Sequence, residues 1–157
     1  MISVERALKI ILANSRELGL EKVNILDARS RVIGDNIFST RNIPSADNSA
    51  MDGYAVRYSD TKAVSKKRPL RLQVIEEIPA GKIPRKKLRK KEASRIMTGA
   101  MIPPGADAVV RQEDTQKIGK LIEIYVAVKK GQDIRFSGED VKKGDLVIAR
   151  GSIIRPS

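Results

Sequence analysis

At Asp52-Gly53 the hydrophobic pattern of this chain changes period, from 3.6 residues before the dipeptide to 2 after it. That switch allows helices in the first third and demands short strands and turns afterwards. Ser3 can cap a helix and Glu5 suits its positive end. Val4, Ala7, Leu8, Ile11 and Leu12 then form one apolar stripe, and Gly19 offers an end. A second helix is expected over 25–33, closed by Gly34, with Ile25, Leu26, Ala28, Val32 and Ile33 as its buried set. Both segments read as packing helices. Residues 35–40 look extended, and Pro44 punctuates the approach to the turn. Beyond it, Tyr54, Val56 and Tyr58 share one strand face, and Leu70, Leu72 and Val74 alternate along 70–78. Residues 94–97 and 108–110 are further strands, and Gly119 sits in a hairpin loop between 114–117 and 121–128. Leu146-Val147-Ile148, between Gly144 and Gly151, reads as a buried strand. The fold class is therefore α+β and mainly β, with N-terminal helices followed by a β module.

Composition narrows the chemistry. The chain has 157 residues, enough for one ordinary domain or two small ones, and 41% of them are hydrophobic, enough for a real core. Aromatics are only 3%, so that core must be aliphatic. The chain lacks cysteine and histidine. Disulfides, thiolate metal sites, Ser-His-Asp triads and imidazole acid-base catalysis are excluded, and any metal must be a hard cation held by oxygens. No apolar run approaches the ~18 residues of a membrane span, so a soluble cytoplasmic protein without a membrane partner is expected. The net charge of +12 favours anionic partners. The most basic stretch is 82–91, with 62–71 a weaker companion. Neither is interleaved with aromatics, so base stacking is unsupported and nucleic acid is not the expected partner. A solvated loop or a lysine-protected strand edge fits better.

Three turns carry polar groups that could converge. Ser49 and Asp52 place a hydroxyl and a carboxylate on the first, and Asn48 adds an amide. Thr98-Gly99-Ala100 offers a hydroxyl and a glycine amide that could face an anion. Arg135-Phe136-Ser137-Gly138-Glu139-Asp140 sets a cation beside two carboxylates. A carboxylate-hydroxyl cluster could hold Mg²⁺ through oxygen and water. Taken singly each is weak, because Asp-Gly is usually a hairpin turn and Gly-Glu-Asp a surface turn.

Taken together, the chain resembles the N-terminal region, domains I and II, of the MoeA/gephyrin family of molybdopterin molybdenumtransferases. The matching strings are Asn42-Ile43-Pro44, Asn48-Ser49-Ala50-Met51-Asp52-Gly53-Tyr54-Ala55-Val56, Ala80-Gly81, Arg95-Ile96-Met97-Thr98-Gly99-Ala100, Pro103-Pro104-Gly105-Ala106-Asp107-Ala108-Val109-Val110, Gly131-Gln132-Asp133-Ile134-Arg135, Ser137-Gly138-Glu139-Asp140 and Gly144. The resemblance implies a bifurcated, coiled β-sheet module over 46–140 and a discontinuous module made of the helical 1–45 completed by 141–157. It implies insertion of molybdate into adenylylated molybdopterin with release of AMP, assisted by Mg²⁺, in a homodimer whose cleft lies between this β module and a nucleotide-fold-like domain of the other subunit. By motif, Asp52, Thr98 and Asp140 fall on catalytic positions, Ser49, Gly99 and Arg135 on substrate-binding ones, and Asp52 and Glu139 on metal positions. Asp52 would hold a metal or water or orient substrate, Thr98 and the amides after it would meet an anionic oxygen, and Glu139 and Asp140 would support the metal or order Arg135. The family's pterin-binding α/β domain has no counterpart in these residues, so the chain by itself is expected to be inactive and to need that domain in cis or in trans. The alternative is a non-catalytic dimerisation or scaffold module of gephyrin type.

Overall fold

The computed structural model describes residues 2–16 and 18–156 and shows two compact units. One unit gathers the residues up to Ile37 with those from Leu146 onward, and the other is Phe38–Asp145.

In the first unit, the Ser3 side chain accepts the Arg6 amide at 3.3 Å and starts helix α1 (Val4–Asn14). The helix stops well short of Gly19. The side chains of Asn14 and Ser15 each donate at 2.8 Å to the carbonyls of Ile10 and Ile11, satisfying groups that a further turn would otherwise bond. Its apolar stripe is not buried: Val4, Leu8, Ile11 and Leu12 are 53–81% exposed, against the expectation of a packing helix. The helix expected over 25–33 is also corrected. Asn24 caps a single 3₁₀ turn (Ile25–Asp27), and the left-handed φ of +65° at Ser30 blocks continuation. Beyond it the backbone bonds to the C-terminal segment instead, Ser30 N–H donating to Ile154 O and Ile33 N–H to Ser152 O. Of its expected buried set only Ala28 is buried, while Ile25 and Leu26 stand 86% and 87% exposed. Strand β1 (Ile37–Phe38) pairs with a strand at Leu146–Ile148 in a two-stranded ribbon. A ribbon of two strands has no covering layer of its own, and Leu146, Val147 and Ile148 are exposed rather than buried.

The second unit is almost all β, as the period of 2 requires. It contains β2 (Asn48–Ser49), β3 (Gly53–Val56), the single-turn helix α2 (Tyr58–Thr61), β4 (Leu70–Ile78), β5 (Glu92–Ile96), β6 (Ala108–Arg111), β7 (Thr115–Ile118), β8 (Leu121–Ile124) and β9 (Ile134–Arg135); the Leu146–Ile148 strand is β10. Tyr58 leaves the strand face predicted for it, because its amide donates to Asp107 Oδ1 at 2.7 Å and the chain turns into α2. Six strands form one sheet in the order β6-β3-β5-β4-β8-β7, with β4 and β5 parallel and the other neighbours antiparallel.

Only the three residues Gln112–Asp114 join β6 to β7, the two edges of that sheet. Laid flat, five strand spacings would separate those edges by about 24 Å. Four residue steps reach about 14 Å at most. The sheet must therefore curl until its edges approach, and it forms a half-barrel. Its inner face carries Tyr54, Val56, Leu72, Ala93, Val110, Ile122 and Ile124, all buried. The opposite face carries a smaller cluster of Ala55, Ile78, Ile96, Ala100 and Val109. Both cores are aliphatic but for Tyr54. Gly53 is obligatory at the start of β3, since a Cβ there would lie 2.1 Å from the Val110 carbonyl oxygen.

Candidate functional site

The short strand β2 brings the three polar turns together. Asn48 pairs with Arg135 of β9 and bridges to Met101, and Ser49 pairs with Ile134. Ser49 N–H donates to Ala100 O at 2.9 Å, and Gly99 N–H returns a bond to Ser49 O at 2.8 Å. The turn after β2, the 98–100 turn and the start of the 135–140 turn are thus tied by backbone hydrogen bonds to two residues. This junction places Asp52 against Thr98. Asp52 Oδ1 accepts both the Thr98 amide at 2.7 Å and the Thr98 hydroxyl at 2.8 Å. The amide bond and then the hydroxyl bond from Thr98 hold the Asp52 carboxyl below its ordinary pKa; they outweigh desolvation, and the nearby Arg95 guanidinium adds a lesser effect in the same direction. Both residues are exposed, so the junction presents an ionised carboxylate of fixed orientation, with Oδ2 free of hydrogen bonds from the described residues.

The other candidate residues fall as follows. Ser49 is 1% exposed, and its hydroxyl is engaged with its own turn, donating to Met51 O at 2.5 Å and accepting from Met51 N–H at 3.3 Å. Gly99 has a φ of +79°, which glycine permits, but its amide is the one bonded to Ser49. The Ala100 amide donates to Met97 O, so none of the three amides at 98–100 points free toward an anion. Arg135 donates at 2.6 Å to both carboxylate oxygens of Asp140, which raises its already high pKa, and it approaches Glu139 at 3.8 Å. Glu139 also accepts the Phe136 amide at 2.9 Å. Asp47 closes the same turn by accepting the Ser137 amide at 2.8 Å.

These contacts leave Glu139 and Asp140 facing their own arginine. Among the described residues no three acidic side chains come together in a way that could hold a metal ion. Asp52 could give a metal one oxygen, but the residues present do not fit a Mg²⁺ site of their own.

Pattern reading missed three residues around the junction. Arg95, from β5, donates to Gly53 O at 3.0 Å and to Gln112 Oε1 at 2.7 Å, and its guanidinium lies 5.2 Å from the Tyr54 ring centre. Gln112 in turn donates its amide to Asp52 O. Asp133, at a φ of +54°, pairs with Arg111 and accepts the Ala50 amide through its carbonyl. An arginine between the buried Ser94 and Ile96 of a half-buried strand was the available signal for the first. Asp133 stood in a matching string that gave it no role, and Gln112 stood in none. The basic loop at 82–91 is hydrogen-bonded elsewhere, to carboxylates that take its backbone: Glu76 accepts the amides of Arg85 and Lys86, and Asp60 that of Lys91.

The curled mixed sheet and the unit built from both chain ends have counterparts among solved structures. The crystal structure of the molybdopterin biosynthesis MoeA protein from Pyrococcus horikoshii OT3 matches 97% of this chain with a TM-score of 0.92 and 40% identity, over 40% of its own length. The chain belongs to the family described as the MoeA N-terminal region (domain I and II), which matches residues 2–157. Relatives include the molybdopterin molybdenumtransferase of Bacillus subtilis, 35% identical over 99% of this chain and 37% of that protein. The enzyme of the same name from Haemophilus influenzae is 44% identical over 87% of this chain and 33% of that protein. The chain thus spans between a third and two fifths of the length of these relatives.

Proposed function

We propose that this chain is the N-terminal part of a molybdopterin molybdenumtransferase of molybdenum cofactor biosynthesis, inserting molybdate into adenylylated molybdopterin together with a pterin-binding domain supplied in cis or in trans. The Asp52–Thr98 contact carries this reading. It sits where three of the family's sequence strings are hydrogen-bonded to one another, and it holds an ionised carboxylate outward. Asp52 would orient a water or the transferring group through its unbonded oxygen. Thr98 would fix the carboxylate, and the Arg135–Asp140 pair would brace the adjoining turn. Any magnesium would need most of its ligands from outside these residues. The test is to join the chain to the remaining part of the Bacillus subtilis relative, or supply that part separately, and measure molybdate insertion. Turnover that falls about 10²-fold or more in Asp52→Asn supports the reading. Wild-type turnover in Asp52→Asn overturns the role of Asp52, and a folded, joined protein without turnover overturns the enzymatic reading.

A second observation favours self-association. Val4, Leu8, Ile11 and Leu12 of α1, and Leu18, Leu20, Ile25 and Leu26 after it, are all exposed, and clustered exposed apolar side chains mark interaction surfaces. We infer that this face takes up a second copy, giving a homodimer. Light scattering on the chain should give twice the 17.3 kDa monomer mass, and Leu8→Glu with Ile11→Glu should return it to the monomer.

A further inference from the structure

The inner face of the half-barrel is not apolar throughout. In the antiparallel pair β3/β5, Tyr54 stands opposite Arg95, and in the parallel pair β4/β5, Glu77 stands opposite Arg95. On the far edge, Lys117 stands opposite Ile122, which is itself part of the inner core. Directly paired residues share a face, so Tyr54, Arg95, Glu77 and Lys117 all look into the curl. They line a cavity of about 420 Å³ together with Gln112 and Thr115. That volume is within the range of small-ligand sites, roughly 300–1,000 Å³.

The arginine in this cavity differs from its neighbours. Arg71, Arg111 and Arg135 each meet a carboxylate in an ion pair. Arg95 is bonded only to neutral oxygens, of Gly53 and Gln112, and lies against the Tyr54 ring. Those contacts fix the guanidinium while leaving other N–H donors available, since the group carries five. Lys117 takes part in no ion pair among the described residues. Glu77 is likewise unpaired there, although it is adjacent to Arg95. Two cations and one carboxylate thus surround an open space without neutralising one another by contact.

We propose that this cavity binds a phosphate group, with Arg95 and Lys117 donating to its oxygens and Glu77 accepting a hydrogen bond from a proton the group carries. A planar guanidinium matches two phosphate oxygens and an ammonium supplies a point charge. The acceptor makes the site selective. Hydrogen phosphate and the protonated form of a phosphate monoester bring a proton to Glu77, whereas sulfate and molybdate at neutral pH bring only oxygens and meet its charge. Gln112 and Thr115 complete the wall with neutral polar groups. This site is separate in its readout from the enzymatic reading above, because it requires only this chain.

The experiment is calorimetric titration of the 157-residue chain at pH 7 and low ionic strength with inorganic phosphate, glycerol 3-phosphate, sulfate and molybdate. The expected result is one saturable phosphate site, with sulfate and molybdate weaker by about tenfold or more, the scale of one charge-assisted hydrogen bond. Tighter binding of the ester than of the free ion identifies an ester as the ligand, and equal binding identifies the ion. Arg95→Gln and Lys117→Gln should each weaken binding about tenfold or more, and Glu77→Gln should abolish the preference over sulfate. Lys117 is exposed on an edge strand, so its variant keeps the test decisive if Arg95→Gln fails to fold. Absence of saturable phosphate binding overturns the proposal. So does unchanged affinity in Lys117→Gln, sulfate bound as tightly as phosphate, or loss of binding in Lys90→Gln, which would place the ion on the basic loop.

Discussion

Asp52 answers to two descriptions at once: a clamp on the 98–100 turn, and a charge held outward. Three substitutions separate them. Asparagine at 52 can still accept both Thr98 bonds and loses only the charge, so Asp52→Asn should keep its melting temperature within a few degrees while turnover of the joined enzyme collapses. Asp52→Ala removes clamp and charge together and should lower both. Thr98→Val keeps the charge and removes the hydroxyl donor, so a modest melting shift is expected, with a smaller loss of turnover than in Asp52→Asn. Turnover that follows the melting temperature across all three would reduce Asp52 to a turn former. Acid stability reports the same carboxylate. Asp52 is held below its ordinary pKa by Thr98, and Glu123 by Arg71 and then Tyr125. Their stabilising effect is complete above the unfolded-chain values near 3.9 and 4.3 and is lost as pH falls through the lower folded values. Melting temperatures should therefore hold down to about pH 4 and drop below it, with a shallower drop in Asp52→Asn. A drop beginning near pH 6 would contradict this.

Among the elements, two positions have outsized effects. Gly53→Ala would drive a methyl group into the Val110 carbonyl, and backbone cannot move aside as a flexible side chain can. A loss above about 2 kcal/mol is expected, read by denaturant unfolding. Thr61 is fully buried, donates to Tyr58 O at 2.9 Å and accepts the Val128 amide at 3.2 Å. Thr61→Val keeps the shape and leaves that amide without its partner, at a cost of about 1–3 kcal/mol. The strands were legible because alternation and turn dipeptides are local signals, and Leu70–Ile78 and the Gly119 hairpin formed as their residues suggest. The helix over 25–33 failed because its apolar spacing was satisfied by pairing with residues some 120 positions later, such as Val32 with Ile153, which no window can see. The junction was legible in part. Asp52 and Thr98 could be given roles from their strings, but Asp133 lay in a string without one, because a left-handed aspartate whose carbonyl takes the Ala50 amide acts through its backbone.

For the molecule as a whole, the ends of the second unit decide what can be done with it. Ser39 N–H donates to Asp145 O at 2.9 Å, and Gly144 N–H donates to Ser39 O at 2.8 Å. A segment of 108 residues therefore begins and ends at one place. Expressed by itself, 38–145 should fold with a circular dichroism spectrum dominated by strand and a single cooperative melt; a spectrum dominated by helix would refute the mainly β reading of that unit. The meeting of its ends has an evolutionary and a practical side. A module whose entrance and exit coincide can be lifted from one host loop and set into another without stretching either. The same geometry invites a new covalent order: with a short linker between 145 and 38, the chain could be opened at the Gly119 loop instead, and its half-barrel would keep every strand neighbour it has now.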